Sequence, residues 1–456
     1  MSDCRDCTRT KLIRDAVAEA GRGLPEIEPG MPVPAGTGLS RRSFVARSAG
    51  IALAVYGGSK LTPWALDDGI AAAATGKQPP VLVSIFLEGG IDSLSVLFPA
   101  GDPGYYALRP KLALPESAGA AFSEDSRLRW HPAAAALAQL HAEGKVSVLP
   151  AIGYNRPDHS HFTSRHYWEV GATDPHVLSG WLGRYLDRAG SADNPLQGLS
   201  LDTRLQPALA TAKVPIASLD GPDRYGFSAN RKPHPLEQSM LDAAAELGAA
   251  HAASRDRGLR QAGQAAQQAK LLAGELRGFR TIASPVAYPS SADRFPQRLA
   301  GLAAMLGAGL PLHCVALTAT GHYDTHATQA DDLQQGLQTT ADSLLVFQRD
   351  LEARGIADRV LVHVWSEFGR RARENGSLGT DHGAAGIGFL IGSRVRGRMI
   401  GEFPGIGPGG LDELGNLRPT VDFRGVYSAL IEQWLGADAG GIIPGASAFP
   451  RPTLLK

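Results

Sequence analysis

From residue 79 onward, apolar positions recur as short unbroken runs, each followed by a glycine-rich or polar break and then a longer amphipathic stretch. Val81-Leu82-Val83-Ser84-Ile85-Phe86-Leu87 is nearly continuous in its hydrophobicity, the pattern of a strand buried on both faces. Similar runs predict strands at 146–150, 215–219, 312–319, 359–365 and 386–391. Between them, helical spacing predicts helices over 132–143, 161–170, 181–188, 292–309 and 330–354, with a last one from Thr420 to Leu435. Residues 233–282 differ: they are rich in Ala, Gln, Glu and Arg, have no proline after Pro235, and read as one or two long helices. They are either a helical insertion or an outer-layer helix of the core. Strands alternating with helices imply an α/β fold, a mostly parallel sheet covered by helices on both faces.

Composition narrows this picture without changing it. A chain of 456 residues with 43% apolar content can bury a large core. Its formal net charge is zero, so no global basic field points to nucleic acid or to anionic membranes. Gly (54) and Pro (31) are spread along the chain, as many strand-to-helix loops require. Of three cysteines, Cys4 and Cys7 form a single CxxC near the N-terminus, and Cys314 lies in an apolar run. Without a second pair, neither a zinc ribbon nor a disulfide framework follows.

The first part of the chain reads as an export signal. Ser40-Arg41-Arg42-Ser43-Phe44-Val45 precedes a modest apolar run from Ala49 to Tyr56, and Ala71 to Ala74 offers small residues for cleavage. Paired arginines before weak hydrophobicity match a twin-arginine leader, over residues 1–76, ahead of one domain at 77–456. The alternative is a cytosolic amphipathic segment with chance arginines. The apolar run is too short to span a bilayer stably, so the expectation is export by the twin-arginine machinery to the periplasm, envelope or exterior, with no stable transmembrane segment. The long stretch before Arg41 raises the expectation of a start codon further downstream.

Candidate chemistry gathers at the predicted strand ends. Asp381-His382, flanked by Gly379 and Gly383, follows the run 359–365 and is expected in a glycine-rich loop. A carboxylate beside an imidazole suits a divalent metal such as zinc or manganese. Asp324-Thr325-His326 follows the run 312–319; two residues apart, both side chains can face one way if the segment is extended. Asp324 can instead cap helix 330–354. Asp92, after Gly89-Gly90, is either a ligand at the sheet edge or a turn and helix cap. Ser160, with His161 beside it, sits where a helix N-terminus favours anions, as a nucleophile or as a plain N-cap. Glu367 and Arg370 are an acid supporting the site and an anion clamp, or a surface ion pair. No histidine follows His382, so Asp422 is the best late ligand, although helix capping explains it equally.

Taken together, the leader, Phe86 to Leu94, Gly101 to Pro110, Ser160-His161-Phe162, Asp324-Thr325-His326, Ser366 to Arg370, Gly379 to Gly383 and Asp422 to Tyr427 resemble an exported family, the domain of unknown function 1501, over about residues 40–436. That family in turn is similar to the alkaline phosphatase and sulfatase superfamily. The resemblance implies an alkaline-phosphatase-like fold with Asp92, Asp381 and His382 on one metal, Ser160 as nucleophile, and Asp324 and His326 serving a second metal. Two departures stand out: Asp324 and His326 are closer together than the superfamily's pair, and its late histidine is missing. The implied activity is metal-dependent hydrolysis of phosphate or sulfate esters, with zinc, manganese or calcium as cofactor and a small anionic ester as substrate. The alternatives are a non-catalytic secreted protein binding an envelope glycan, and a phosphomutase-like transfer.

Overall fold

The computed structural model describes residues 78–191, 194–222, 237–279, 281 and 283–456, together with the short strand Leu53–Ala54. Cys4, Cys7 and the paired arginines Arg41 and Arg42 lie outside the described residues. The strands are β1 (Leu53–Ala54), β2 (Val81–Phe86), β3 (Leu97–Pro99), β4 (Leu128–Trp130), β5 (Val146–Gly153), β6 (Gly198–Leu201), β7 (Ile216–Leu219), β8 (Cys314–Thr318), β9 (Val360–Trp365), β10 (Arg370–Glu374), β11 (Thr380–His382), β12 (Gly386–Ile391) and β13 (Val421–Asp422). Nine of them form one sheet in the order β1-β7-β6-β8-β2-β9-β12-β5-β13. From β7 to β9 the neighbours run parallel. β12 enters antiparallel to both β9 and β5, β13 lies parallel to β5, and β1 pairs antiparallel with β7. The fold is α/β with a mostly parallel sheet.

Alternation along β2 explains why that sheet is covered twice. Val81, Val83 and Ile85 pack into one core, and Leu82 and Phe86 into the other, because successive side chains point to opposite faces. The first core is closed by α1 (Ala135–Ala142), α2 (Phe295–Gly307) and α3 (Gln329–Ala353). The second is closed by α4 (His161–Val170), α5 (Trp181–Ala189) and α6 (Phe423–Ala429), around a nest in which Trp168 stacks on Phe423 and Trp181 on Tyr427. The 233–282 block contains two helices, Glu237–Ala250 and Arg257–Glu275. Leu241, Ala269 and Leu272 join the first core, so this pair is docked on the sheet's helical layer.

Some expected elements differ. The pair Asp381-His382 is not in an irregular loop: Thr380–His382 forms β11, antiparallel to β10, with Arg370 opposite His382. This hairpin carries no apolar alternation and is held by backbone pairing and by polar side chains such as Arg370 and Asn375, so hydrophobic patterning could not reveal it. The helix expected from Thr420 starts only at Phe423, because Val421 and Asp422 pair with Ile152 and Gly153 of β5 first. No helix among the described residues is long and apolar enough to cross a membrane.

Register levels the strand ends. Phe86 pairs with both Thr318 and Trp365, and Gly386, at the start of β12, lies beside Ile152 near the end of β5. The loops after β2, β5, β8 and β9 therefore open onto one rim, the edge at which open α/β sheets carry their chemistry.

Candidate functional site

The loop after β8 brings Asp324 to that rim against the turn after β2. Gly89 and Gly90 adopt φ +117° and +82°, and a Cβ on Gly89 would lie 2.3 Å from the backbone nitrogen of Asp324. Only glycine permits this approach. Arg370, fully buried, then fastens the two segments: it donates to the carbonyls of Gly89, Gly90, Tyr323 and Thr380, and its Nη2 lies 2.6 Å from Asp324 Oδ1.

Three imidazoles converge on the same oxygen. His326 Nε2 is 3.1 Å from Asp324 Oδ1, and His161 Nε2 and His382 Nε2 are each 3.3 Å away. His161 is the first residue of α4, delivered by the loop after β5, and His382 ends β11. Ligand atoms of His161, Asp324 and His382 all lie within 4.8 Å of one another.

In each imidazole the second ring nitrogen is held from behind. His382 Nδ1 is 2.7 Å from the carbonyl of His159, which can only accept, so Nδ1 carries the proton. His161 Nδ1 is 2.7 Å from Glu367 Oε1. His326 Nδ1 is 3.3 Å from Asp381 Oδ1, while Arg370 Nη1 donates toward its Nε2. Glu367 is itself locked, accepting from the backbone N–H groups of Gly89 and Gly90 and from Ser366. Outer acceptors that fix the tautomer and leave Nε2 directed inward are the usual support of metal-binding histidines.

Electrostatics give the centre its character. Burial alone would raise the Asp324 carboxyl, but the three histidines and Arg370 pull it far below the ordinary range. Burial disfavours charge on His161 too, yet the Asp324 and Glu367 carboxylates outweigh it and raise its pKa. Burial lowers His382 to about 4, so this ring is neutral at ordinary pH. Its Nε2 lone pair then faces a carboxylate oxygen, a conflict that a cation between them would resolve. His161 Nε2 lies 3.3 Å from the same oxygen, whose charge favours the protonated ring. Ligands about 2.0–2.1 Å from a tetrahedral zinc lie about 3.3 Å from one another, close to the separations found here. The residues fit a divalent metal held by His161, Asp324 and His382, while His326 Nε2 faces the Arg370 guanidinium.

The other sequence candidates fall in different places. Asp92 does not join the cluster: its carboxylate is taken by Arg109, with Nη1–Oδ2 2.5 Å and Nη2–Oδ1 2.9 Å, and by Ser95, Gln329 and the backbone N–H of Leu94. All its acceptor capacity is spent on a buried ion pair and a helix cap. Asp422 also stands apart, capping α6 and pairing with Arg424 at 2.8 Å. Asp381 is behind His326 and half-exposed; the hydrogen bond with His326 holds its carboxyl down at about 2. Arg370 is no open anion clamp, because carbonyls and Asp324 occupy its donors. Ser160 precedes His161 as the N-cap of α4, but its side chain makes no capping hydrogen bond.

Two supporting residues escaped the sequence reading. Gln329 links Asp92, Thr325 and Thr380. Asn375 donates to the carbonyl of His326 and to Asp381 Oδ1 while its Oδ1 accepts from Ser377 and Gly379. The dipeptide Asn375-Gly376 is a hairpin signal that marks this turn.

A family model described as "Protein of unknown function (DUF1501)" matches residues 80–413. No curated protein matches the sequence. Among solved structures, the chain is similar to a protein in the alkaline phosphatase superfamily from Vibrio parahaemolyticus, at 10% identity over 99% of this chain and 79% of that one, with a TM-score of 0.35. It is also similar to PsFucS1 sulfatase from Pseudoalteromonas sp., at 13% identity over 84% and 74%, with a TM-score of 0.32. A third is the soluble domain of lipooligosaccharide phosphoethanolamine transferase A from Neisseria meningitidis, at 10% identity over 80% and 88%, with a TM-score of 0.34. The strand order described above, rather than these likenesses, defines the fold.

Proposed function

The chain belongs to the family described as a protein of unknown function, DUF1501, and from that premise we propose that it is a metal-dependent hydrolase of phosphate or sulfate esters. The observation that carries the proposal is the convergence of three imidazole Nε2 atoms on Asp324 Oδ1 at 3.1–3.3 Å, each ring held at Nδ1 from outside. A divalent cation there, zinc or manganese, would supply Lewis-acid stabilisation for charge developing on an ester oxygen, whereas calcium, which takes oxygen ligands, does not suit the imidazoles.

This chain's own residues then have distinct tasks. Glu367 and the His159 carbonyl orient His161 and His382, and Asp381 with Asn375 orients His326. Arg370 holds the Gly89-Gly90 turn against Asp324. Ser160 is the nucleophile of the proposal, supported by its place directly before His161 and by a hydroxyl that does no capping. The paired arginines support export by the twin-arginine route.

A second reading has one observation in its favour. Arg370 Nη2 already lies 2.6 Å from Asp324 Oδ1, so a cation is present without any metal. On that reading the cluster is an internal ion network in a non-catalytic secreted protein that binds an envelope glycan. Elemental analysis of purified protein, wild type against Asp324→Asn, separates the two. About one divalent metal per chain, lost in the variant together with aryl phosphate or aryl sulfate turnover, supports the enzyme; metal-free wild type supports the network.

A further inference from the structure

Asp92 stands outside the cluster, yet one side chain ties it back. Gln329, the first residue of α3, is fully buried between three segments of the chain. Its Nε2 donates to Asp92 Oδ2 and, at 3.1 Å, to Ser95 Oγ. Its Oε1 accepts from Thr325 Oγ1 at 3.0 Å and from Thr380 Oγ1 at 2.6 Å. Asp92, Ser95, Thr325 and Thr380 are all buried, so water does not compete for these bonds.

The two threonines sit where a hold on them reaches the ligands. Thr325 stands between Asp324 and His326, and Thr380 begins β11, which ends in His382. The segments also pair directly, with Thr380 N donating to the Thr325 carbonyl at 3.0 Å. One amide oxygen therefore grips both segments that carry Asp324 and His382, two of the three residues that fit the metal. The backbone adds a further tie, since Gln329 N donates to the Leu378 carbonyl at 2.9 Å in the β10–β11 turn.

An amide could be built in with either end toward the threonines, and Asp92 decides which. Burial alone would raise the Asp92 carboxyl, but Arg109 holds it below its ordinary range, so it is a carboxylate. A carboxylate only accepts; it takes the amide N–H side and leaves Oε1 for the two hydroxyls. Those hydroxyls can donate or accept, so the direction of the whole chain of bonds is set from the Asp92 end.

We infer that Gln329 is a positioning residue for the metal centre: Arg109 and Asp92 fix the direction of its amide, and its oxygen sets the Asp324 and His382 segments at the spacing a divalent cation needs. The inference rests on the metal reading of the cluster and adds to it a buried ion pair that acts on the centre without touching it.

The test uses full-length protein loaded with cobalt(II), whose visible absorption reports ligand geometry. Affinity is read by competition with a chelator and stability by Tm. Gln329→Met keeps the bulk and removes the side-chain hydrogen bonds; cobalt affinity is expected to fall about tenfold, with a changed absorption band. Gln329→Glu turns a second carboxylate toward Asp92 and is expected to lose at least as much. Combining Gln329→Glu with Asp92→Asn keeps one acid and one amide in the pair with their places exchanged. This double variant is expected to recover most of the wild-type affinity and band. A lowered Tm in Gln329→Met with wild-type affinity and band would overturn the positioning role and leave the metal reading intact, as would a double variant no better than Gln329→Glu alone. Wild-type protein that takes up no cobalt would overturn both.

Discussion

Asp92 and Asp324 each follow the end of a central parallel strand, each is largely buried, and each is engaged by an arginine. Around Asp92 every acceptor position is met by a donor: two from Arg109, one each from Ser95, Gln329 and Leu94 N–H. Around Asp324 one oxygen faces Arg370 and three imidazole nitrogens, one on a ring that burial keeps neutral. A saturated carboxylate is a fastener. A carboxylate facing the lone pair of a neutral imidazole is a place for a cation.

The largest effect that separates them is expected from Asp324→Asn. Metal content should fall below a tenth of wild type and ester turnover by about a thousandfold or more, since this residue meets every member of the cluster; elemental analysis and initial rates check both. Asp92→Ala should do the opposite. It strands the buried Arg109 charge, so unfolding free energy from urea titration should drop by about 3–5 kcal/mol, while the protein that remains folded keeps its metal. Loss of metal with unchanged stability would break the comparison.

A smaller effect tests the outer support. Glu367→Gln keeps the shape but weakens the hold on His161 Nδ1, and metal affinity measured by competition with a chelator should fall about 10–100-fold. An unchanged affinity would mean that Glu367 serves only the Gly89-Gly90 turn.

The smallest expected effect contrasts clustered histidines with solitary ones. His363, in the middle of β9, is depressed to about 3 by burial, and His166, on α4, to about 4. Folded, they stay neutral; unfolded, they take up a proton below about 6.5. Their contribution is therefore complete above that value and is lost as pH falls toward 4 and then 3. Urea midpoints should decrease from pH 7 to pH 5, and His363→Leu should show a shallower decrease.

How much of this the sequence carries depends on what specifies each part. Helix 161–170 and strand 386–391 were legible to the residue, the helix from its spacing and the strand as an unbroken apolar run buried on both faces. The β10–β11 hairpin was not, since its side chains answer to the cluster and not to a hydrophobic face. At the rim, composition gathered the right neighbourhood: Asp324, His326, His382 and the residues around Ser160 all carry strand-end positions. It could not separate Asp92 from Asp324, because both follow apolar runs and both suit a ligand or a cap. The partner that decides Asp92 is Arg109, 17 residues away in sequence; for Asp324 they are His161 and Arg370, at distances of 163 and 46 positions (324 − 161 and 370 − 324).

By itself, then, the amino-acid order determined an alternating α/β architecture, buried strands, and a family membership written in its motifs. Those follow from local propensity and from which faces must leave water. Tertiary structure alone decided which acid is saturated and which stands among imidazoles, and which nitrogen of each ring points inward. Such properties belong to hydrogen-bond geometry between distant segments, and that geometry exists only once the strand ends are brought to one rim.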